Sequence, residues 1–251
     1  MKKSIVIIPT YNEKETLPLI IDSVLKHGCF DILVVDDNSP DETAGVVGKI
    51  MASEKRVFLI RRDGKLGLGT AYIEGFKWAL DREYYYLIEM DADRSHDPDA
   101  LPAFIGKMEK GYDLVIGSRY LDGRINVVGW DFRRLLLSKF GNLYASVLLG
   151  LKLTDLTSGF RCYSKIALES VNLDNIWSNG YAFQIEMAYL ISIAGLSVGE
   201  IPIIFHERTA GTSKMSKRIV LEAMLFPWRA RFLQILNGLR GTTTGVFRRH
   251  G

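Results

Sequence analysis

Short runs rich in Val, Ile, Leu and Tyr alternate, along the first half of the chain, with segments whose apolar positions recur at helical spacing. Residues 4–8, 31–35, 56–60, 84–90 and 114–117 read as strands. Residues 15–26, 41–51, 69–81 and 99–110 read as helices. The strands are near-continuously apolar rather than alternating, as expected when both faces of a sheet are buried. This βαβα order predicts an α/β, Rossmann-like fold with a mostly parallel sheet flanked by helices.

Beyond that half the pattern is less regular. Residues 133–149 read as an amphipathic helix, 155–163 as a polar loop, 181–194 as a helix and 198–205 as a strand. Residues 208–218 read as a basic flexible loop, and 219–239 as an apolar stretch with spaced arginines. On a helix, Arg218, Glu222, Arg229 and Arg240 fall within about 40° of one another at 100° per residue. Pro227 should kink or divide that helix. The expected organisation is a catalytic domain over residues 1–217 and a basic amphipathic segment over 218–251. That segment suits a helix lying in a membrane interface, or one packed on the domain or in a dimer.

In open α/β sheets, ligands bind beyond the C-terminal ends of the strands. Polar residues collect there four times: Pro9-Thr10-Tyr11-Asn12-Glu13, Asp36-Asp37-Asn38-Ser39, Asp91-Ala92-Asp93 and Ser118-Arg119. Fold stability alone does not ask for this. Asp91 and Asp93, one residue apart after an apolar strand, suit a hard cation, Mg2+ or Mn2+, which takes few protein ligands and shares substrate phosphates. Asp97 reads as the cap of the helix that starts near Pro98, and Asp41 as the cap of an earlier one. Asp37 is a candidate for a nucleotide hydroxyl or base edge, and Tyr11 and Glu13 for a base and ribose. The glycines of KLGLGTAYIEG lack dinucleotide-fingerprint spacing and read as a loop feeding a helix. Glu89 and His96 have no assigned role.

Composition adds limits. Apolar residues make up 47% and charged residues 24%, the balance of a folded soluble protein. Cys29 and Cys162 are the only cysteines, which argues against a disulfide scaffold and fits a reducing compartment. The N-terminal apolar run stops at Ile8, too short for a secretory signal, and no window approaches the ~20 apolar residues of a membrane span. A cytoplasmic location, on the cytosolic face of a membrane, is expected. The net charge of +3 is uneven: nine Lys/Arg against two acids follow His206. That suits a partner carrying phosphates or anionic lipid, or a solvated tail. Arg119, Arg133, Arg134, Arg161, Arg208 and Lys214 are more cation than one nucleotide diphosphate needs beside a metal, so a second phosphate-bearing substrate is expected. Any one of them is better explained by a surface ion pair; the set together is less easily explained that way.

The stretches IIPTYNE, VVDDNSPDET, KLGLGTAY, MDADRSHDP, GSRY, GWDFRR, TSGFR and RTAGTSK follow one another in this order. In these the chain resembles the dolichyl-phosphate (polyprenol-phosphate) mannosyltransferases, family-2 glycosyltransferases of the GT-A fold, over about residues 4–216. The resemblance implies transfer of mannose from GDP-mannose to a polyprenyl phosphate, with inversion to a β-mannosyl phosphate lipid. It implies GDP-mannose contacts at Pro9, Tyr11, Glu13, Val35, Asp37, Asp91, Ala92 and Asp93, with Arg119, Arg208 and Lys214 on the phosphates. Asp91 and Asp93 would hold the metal. Arg119, Arg134 and Ser138 would receive the acceptor phosphate, and Asp91, Asp93, Arg119, Arg134 and Lys214 would form the catalytic set. Ser95 stands where some relatives place a Gln metal ligand. The implied partners are a membrane surface, reached through a small membrane-anchoring subunit or the chain's own amphipathic tail; no nucleic acid is expected. A relative moving glucose, or an inactive nucleotide-sugar-binding subunit, are the competing readings.

Overall fold

The computed structural model describes residues 2–176, 178, 180–207 and 217–239. Strand β1 (Ser4–Thr10) lies at the middle of the architecture, with Ile5, Val6, Ile7 and Ile8 at 0% exposure. Helix α1 (Leu17–Leu25) returns the chain to β2 (Phe30–Asp36), which pairs in parallel with all of β1. Helix α2 (Thr43–Ser53) leads to β3 (Val57–Arg61) on the outer side of β2. Helix α3 (Leu68–Leu80) then crosses to β4 (Tyr86–Glu89), which pairs with β1 from the other side. Helix α4 (Leu101–Met108), β5 (Leu114–Ser118), the short β6 (Val127–Val128) and α5 (Phe132–Leu149) follow. The remaining elements are β7 (Arg161–Ser164), α6 (Lys165–Glu169), α7 (Gly180–Ile193), β8 (Val198–Pro202), β9 (Phe205–His206) and α8 (Lys217–Leu239).

The main sheet has seven strands in the order β3-β2-β1-β4-β7-β5-β8; β6 and β9 form a separate two-stranded ribbon. Alternate residues of each central strand feed opposite layers. Ile5, Ile7, Leu33 and Val35 pack with Tyr72 and Phe76 of α3 and Phe183 of α7. Val6, Ile8, Ile32 and Val34 pack with α1 and α4. Each such side chain contributes roughly 1.5–3 kcal/mol of burial, which is why the runs are apolar at every position rather than every other one.

Three expectations change. Residues 155–163 are not all loop: β7 begins at Arg161 and inserts antiparallel between β4 and β5. Its polar ends hid it, because Arg161 and Ser164 are buried as firmly as Cys162 and Tyr163. The apolar run at 198–205 is two strands in two sheets, β8 and β9, because Ile203 leaves the main sheet after pairing its N–H with the Ser118 carbonyl. Helix α8 is not divided at Pro227. Phe226 and Ala230, buried on either side of the proline, anchor both halves against the domain, which offsets the hydrogen bond lost there.

Candidate active site

β1 outruns β4. Their register ends at Ile7↔Glu89, while β1 continues along β2 to Thr10↔Asp36. Pro9 stands on this overhang, where it has no N–H to leave unpaired. The cleft so opened is stapled by Asp36, fully buried, which accepts from Thr10 Oγ1 at 3.2 Å, the Ser39 N–H at 3.0 Å and Ser39 Oγ at 2.6 Å. Asp37, the candidate nucleotide contact, is also engaged. Arg62 Nη1 donates to its carboxylate at 2.7 Å and Arg62 Nη2 to Thr70 at 2.6 Å, tying β2 to the start of α3. Burial pushes the Asp37 carboxyl above the ordinary range, with Arg62 pulling against it. Gly67 precedes α3 at φ 110, open to glycine, and the neighbouring Lys65 lies 4.3 Å over the Tyr11 ring. Glu13 accepts from Thr16 Oγ1 at 2.7 Å and its N–H meets Thr43 Oγ1 at 3.1 Å. The Val35 side chain is wholly inside the core, which leaves its backbone as the part able to meet a ligand.

β4 ends in the Asp91-Ala92-Asp93 loop. Ala92 is buried in the core and anchors it. Tyr72, fully buried on α3, donates to Asp91 Oδ1 at 3.4 Å, and the Asp91 N–H donates to His96 Nδ1 at 3.0 Å. Asp93 Oδ1 accepts both the Ser95 N–H at 3.0 Å and Ser95 Oγ at 2.5 Å. Ser95 thus orients an aspartate. Asp97 accepts the Asp99 N–H at 3.0 Å, the cap expected of it. Among the described residues no group of three or more His, Cys, Asp or Glu is placed to hold a metal. Two hard carboxylates on one loop fit Mg2+ or Mn2+, which keep positions for phosphate and water; they would not make a closed structural site.

Behind this loop lies Glu89, fully buried, whose Oε2 accepts from Gln184 at 2.8 Å. Burial pushes its carboxyl up to about 8, against the pull of Arg161. Arg161 is one of the cations grouped above with phosphate ligands, and here the structure corrects the reading. It is 0% exposed and donates to the carbonyls of Leu156, Ser158 and Gln184 at 2.5, 2.7 and 2.7 Å. It holds up the loop before β7 and reaches no ligand edge.

That loop matters because β7 is antiparallel. Its N-terminal side therefore lies at the C-terminal ends of β4 and β5, and delivers residues 154–160 to the ligand edge. Asp155, 0% exposed, grips Arg119 in a fork: Nε to Oδ2 and Nη2 to Oδ1, both at 2.6 Å. Arg119 Nη2 also donates to Thr157 at 2.8 Å. Burial works against the Arg119 charge, but the Asp155 carboxylate outweighs it and holds the guanidinium pKa above its ordinary value. Trp130 lies under both arginines predicted to meet the acceptor, 5.3 Å from Arg119 and 4.2 Å from Arg134. Arg134 Nη1 donates to Glu207 at 2.9 Å, and Tyr120 donates to Ser138 Oγ at 2.8 Å. Gly129, at φ +91, lets Glu207 approach: a Cβ there would meet the Glu207 Cβ at 2.8 Å.

Arg119, Arg134 and Ser138 line one cavity of about 390 Å³. Its other walls are largely apolar and aromatic: Leu137, Phe140 and Tyr144 of α5, Ile185 of α7, and Met224 of α8. The three predicted acceptor-side residues are thereby brought together. Pro9, Tyr11, Asp37, Asp91 and Asp93 gather on the neighbouring strand ends. Arg133 is exposed on α5; Arg208 and Lys214 lie outside the described residues. Sequence reasoning missed Arg62, Tyr72, Trp130, Asp155 and Glu207. Asp155 carried a usable signal, an acid six residues before Arg161 in a segment read only for its basic residue.

The family model of glycosyl transferase family 2 matches residues 5–171. A polyprenol monophosphomannose synthase of Mycolicibacterium smegmatis is 46% identical over 226 residues, covering 89% of this chain and 84% of its own. An undecaprenyl-phosphate mannosyltransferase of Micrococcus luteus is 44% identical over 238 residues, covering 93% and 96%. Among solved structures, glucosyl-3-phosphoglycerate synthase from Mycobacterium tuberculosis with Mn2+, UDP and phosphoglyceric acid aligns at TM-score 0.65 and 19% identity, over 92% of this chain and 78% of that one. The same enzyme with Mn2+ and UDP-glucose aligns at 0.64 and 19% identity, over 93% and 78%. At that identity the likeness is one of fold, the GT-A arrangement of a mostly parallel sheet between helices. The chain belongs to glycosyl transferase family 2 and, within it, to the polyprenyl-phosphate mannosyltransferase group.

Proposed function

We propose that this protein transfers mannose from GDP-mannose to the phosphate of a polyprenyl phosphate, inverting the sugar's anomeric centre. The observation that carries the reading is the cavity headed by Arg119, Arg134 and Ser138 and otherwise walled largely by apolar and aromatic side chains. Its two ends match an amphiphile with a phosphate head and an isoprenoid tail. The names of the relatives from M. smegmatis and M. luteus support the same acceptor and sugar.

In this reading GDP-mannose lies along the ends of β1, β2 and β4, beside Pro9, Tyr11, Glu13, Val35, Asp37 and Ala92. Asp91 and Asp93 would hold Mg2+ or Mn2+, and the cation would supply positive charge to offset that gathering on the departing GDP. Arg208 and Lys214 assist on the same phosphates. The acceptor oxygen forms a bond to the sugar C1 as the bond from C1 to the GDP oxygen breaks, and that electron pair leaves with the diphosphate. A phosphate monoester is already anionic near neutral pH, so the chain needs no general base. Its residues contribute position and charge: the Arg119 fork fixed by Asp155, and Arg134, which exchanges Glu207 for the incoming phosphate.

The acceptor lipid requires a membrane surface. On α5, Phe132, Leu136, Phe140, Leu143 and Val147 form one exposed stripe; on α8, Leu221, Leu225, Trp228 and Phe232 form another. The two helices contact each other and both line the cavity. We assign these stripes, with residues 218–251, to peripheral docking on the cytosolic face of a bilayer, with or without a small anchoring subunit.

Purified protein given GDP-mannose, Mn2+ and a short polyprenyl phosphate should make the β-mannosyl phosphate lipid. UDP-glucose in place of GDP-mannose should not support transfer. Asp91→Ala and Asp93→Ala, or excess EDTA, should lower turnover by at least a hundredfold with the fold intact by circular dichroism. Near-native turnover in EDTA would sink the metal assignment, and a preference for UDP-glucose would replace the donor.

A further inference from the structure

His96 belongs to neither the metal pair nor the acceptor residues. It is nonetheless 2% exposed, reaching the Asp91 loop directly and the arginines through two further rings. Its Nδ1 accepts the backbone N–H of Asp91 at 3.0 Å. A nitrogen that accepts there carries no hydrogen of its own, so the neutral ring is protonated at Nε2. The ring face stacks on Phe160, with centroids 4.8 Å apart and planes at 14°. The ring also meets Phe205 edge-on, at 5.8 Å and 71°. Backbone links add to this: His96 bridges Phe205, and the His206 N–H donates to the Ser95 carbonyl at 3.3 Å.

Phe205 continues the chain of contacts. It packs edge-on against Trp130 at 5.4 Å and 70°, and Trp130 lies under Arg119 and Arg134. The ribbon that carries Phe205 also carries Glu207, by way of the Glu207 N–H to the Val128 carbonyl at 2.9 Å. A continuous row of rings thus runs from the backbone of the metal loop to the acceptor arginines.

We propose that His96 is a positioning residue that joins the two substrate sites. Its Nδ1 fixes the Asp91 backbone, and its ring sets the distance from that loop to Trp130 and the arginines. The role rests on the reading of the site given above. It asks two separable things of one side chain, an acceptor atom and a flat ring, and two substitutions separate them. Asn places a carbonyl oxygen close to where the imidazole carries Nδ1, but has no ring to stack. Phe keeps the ring and removes the acceptor.

The test measures Mn2+ binding in the presence of GDP by calorimetry, the KM for a short polyprenyl phosphate, kcat and Tm, for the native protein, His96→Asn, His96→Phe and Phe205→Leu. His96→Phe should weaken Mn2+ binding at least tenfold and leave the acceptor KM within threefold. His96→Asn should keep Mn2+ binding within threefold and raise the acceptor KM at least fivefold. Phe205→Leu, which spares the metal loop, should behave like His96→Asn. If His96→Phe binds Mn2+ as the native protein does, or if all three variants lose every function in proportion to Tm, the role of His96 is overturned and the residue is part of the core. A native protein that neither binds Mn2+ with GDP nor transfers the sugar overturns the underlying reading of the site instead.

Discussion

At the scale of single residues, the arginines separate by what holds them. Arg161 is buried among three carbonyls and meets each with a different N–H. Arg161→Lys replaces a planar fork with a point charge that cannot reach all three. Leaving buried carbonyls unmet costs about 2–4 kcal/mol, so the melting temperature should fall by roughly 4–16 °C, read by calorimetry. An unchanged Tm would show that the carbonyls find other donors. Arg119 and Arg134 differ in the same terms. Arg119→Ala strands the buried Asp155 carboxylate, at a cost of about 3–5 kcal/mol, so lost activity should come with lost stability. Arg134 pairs with the exposed Glu207, a contact worth about 0–1 kcal/mol to the fold. Arg134→Ala should therefore leave Tm within about 4 °C and raise the acceptor KM roughly tenfold to a hundredfold, the value of one charge-assisted contact. Equal loss of stability in both variants would count against this division. Sequence alone could not separate these residues. Arg119, Arg134 and Arg161 look alike as letters, and what distinguishes them is an acid or a carbonyl contributed from elsewhere in the chain.

At the scale of elements, the periodic ones were legible. The apolar runs of β1, β2 and β5 and the helical spacing of α3 and α7 match the structure to within a few residues. β7 was not, because a four-residue strand with a buried arginine at its head has neither the alternation nor the continuity that marks a strand. Yet β7 sets much of the site. Its reversed direction puts Asp155 and Thr157 beside Arg119. Helices α5 and α8 were read as amphipathic, but spacing does not say which side faces the core. Here Ala145 and Leu149, and Phe226 and Ala230, face inward, and stripes of larger apolar side chains face out. That arrangement predicts membrane affinity. Phe140→Ser with Trp228→Ser should reduce flotation with anionic vesicles at least fivefold while leaving the hydrolysis-independent binding of GDP unchanged. Equal flotation of native and variant protein would assign the stripes to another protein surface.

At the scale of the whole molecule, the proposed function brings the two substrates from chemically opposite surroundings. The proposed donor side is built on polar strand ends around Asp37, Asp91 and Asp93. The proposed acceptor cavity is lined by residues of both α5 and α8, the helices that carry the outward apolar stripes. A protein lying on a bilayer by those stripes draws one substrate from a volume and the other from a surface. Its acceptor is then measured by crowding within the leaflet, as a mole fraction, and diluting a vesicle suspension with buffer changes the supply of sugar nucleotide without changing the supply of lipid. On that proposal, the two helix faces that look like a solubility problem in water would decide which concentration the enzyme responds to.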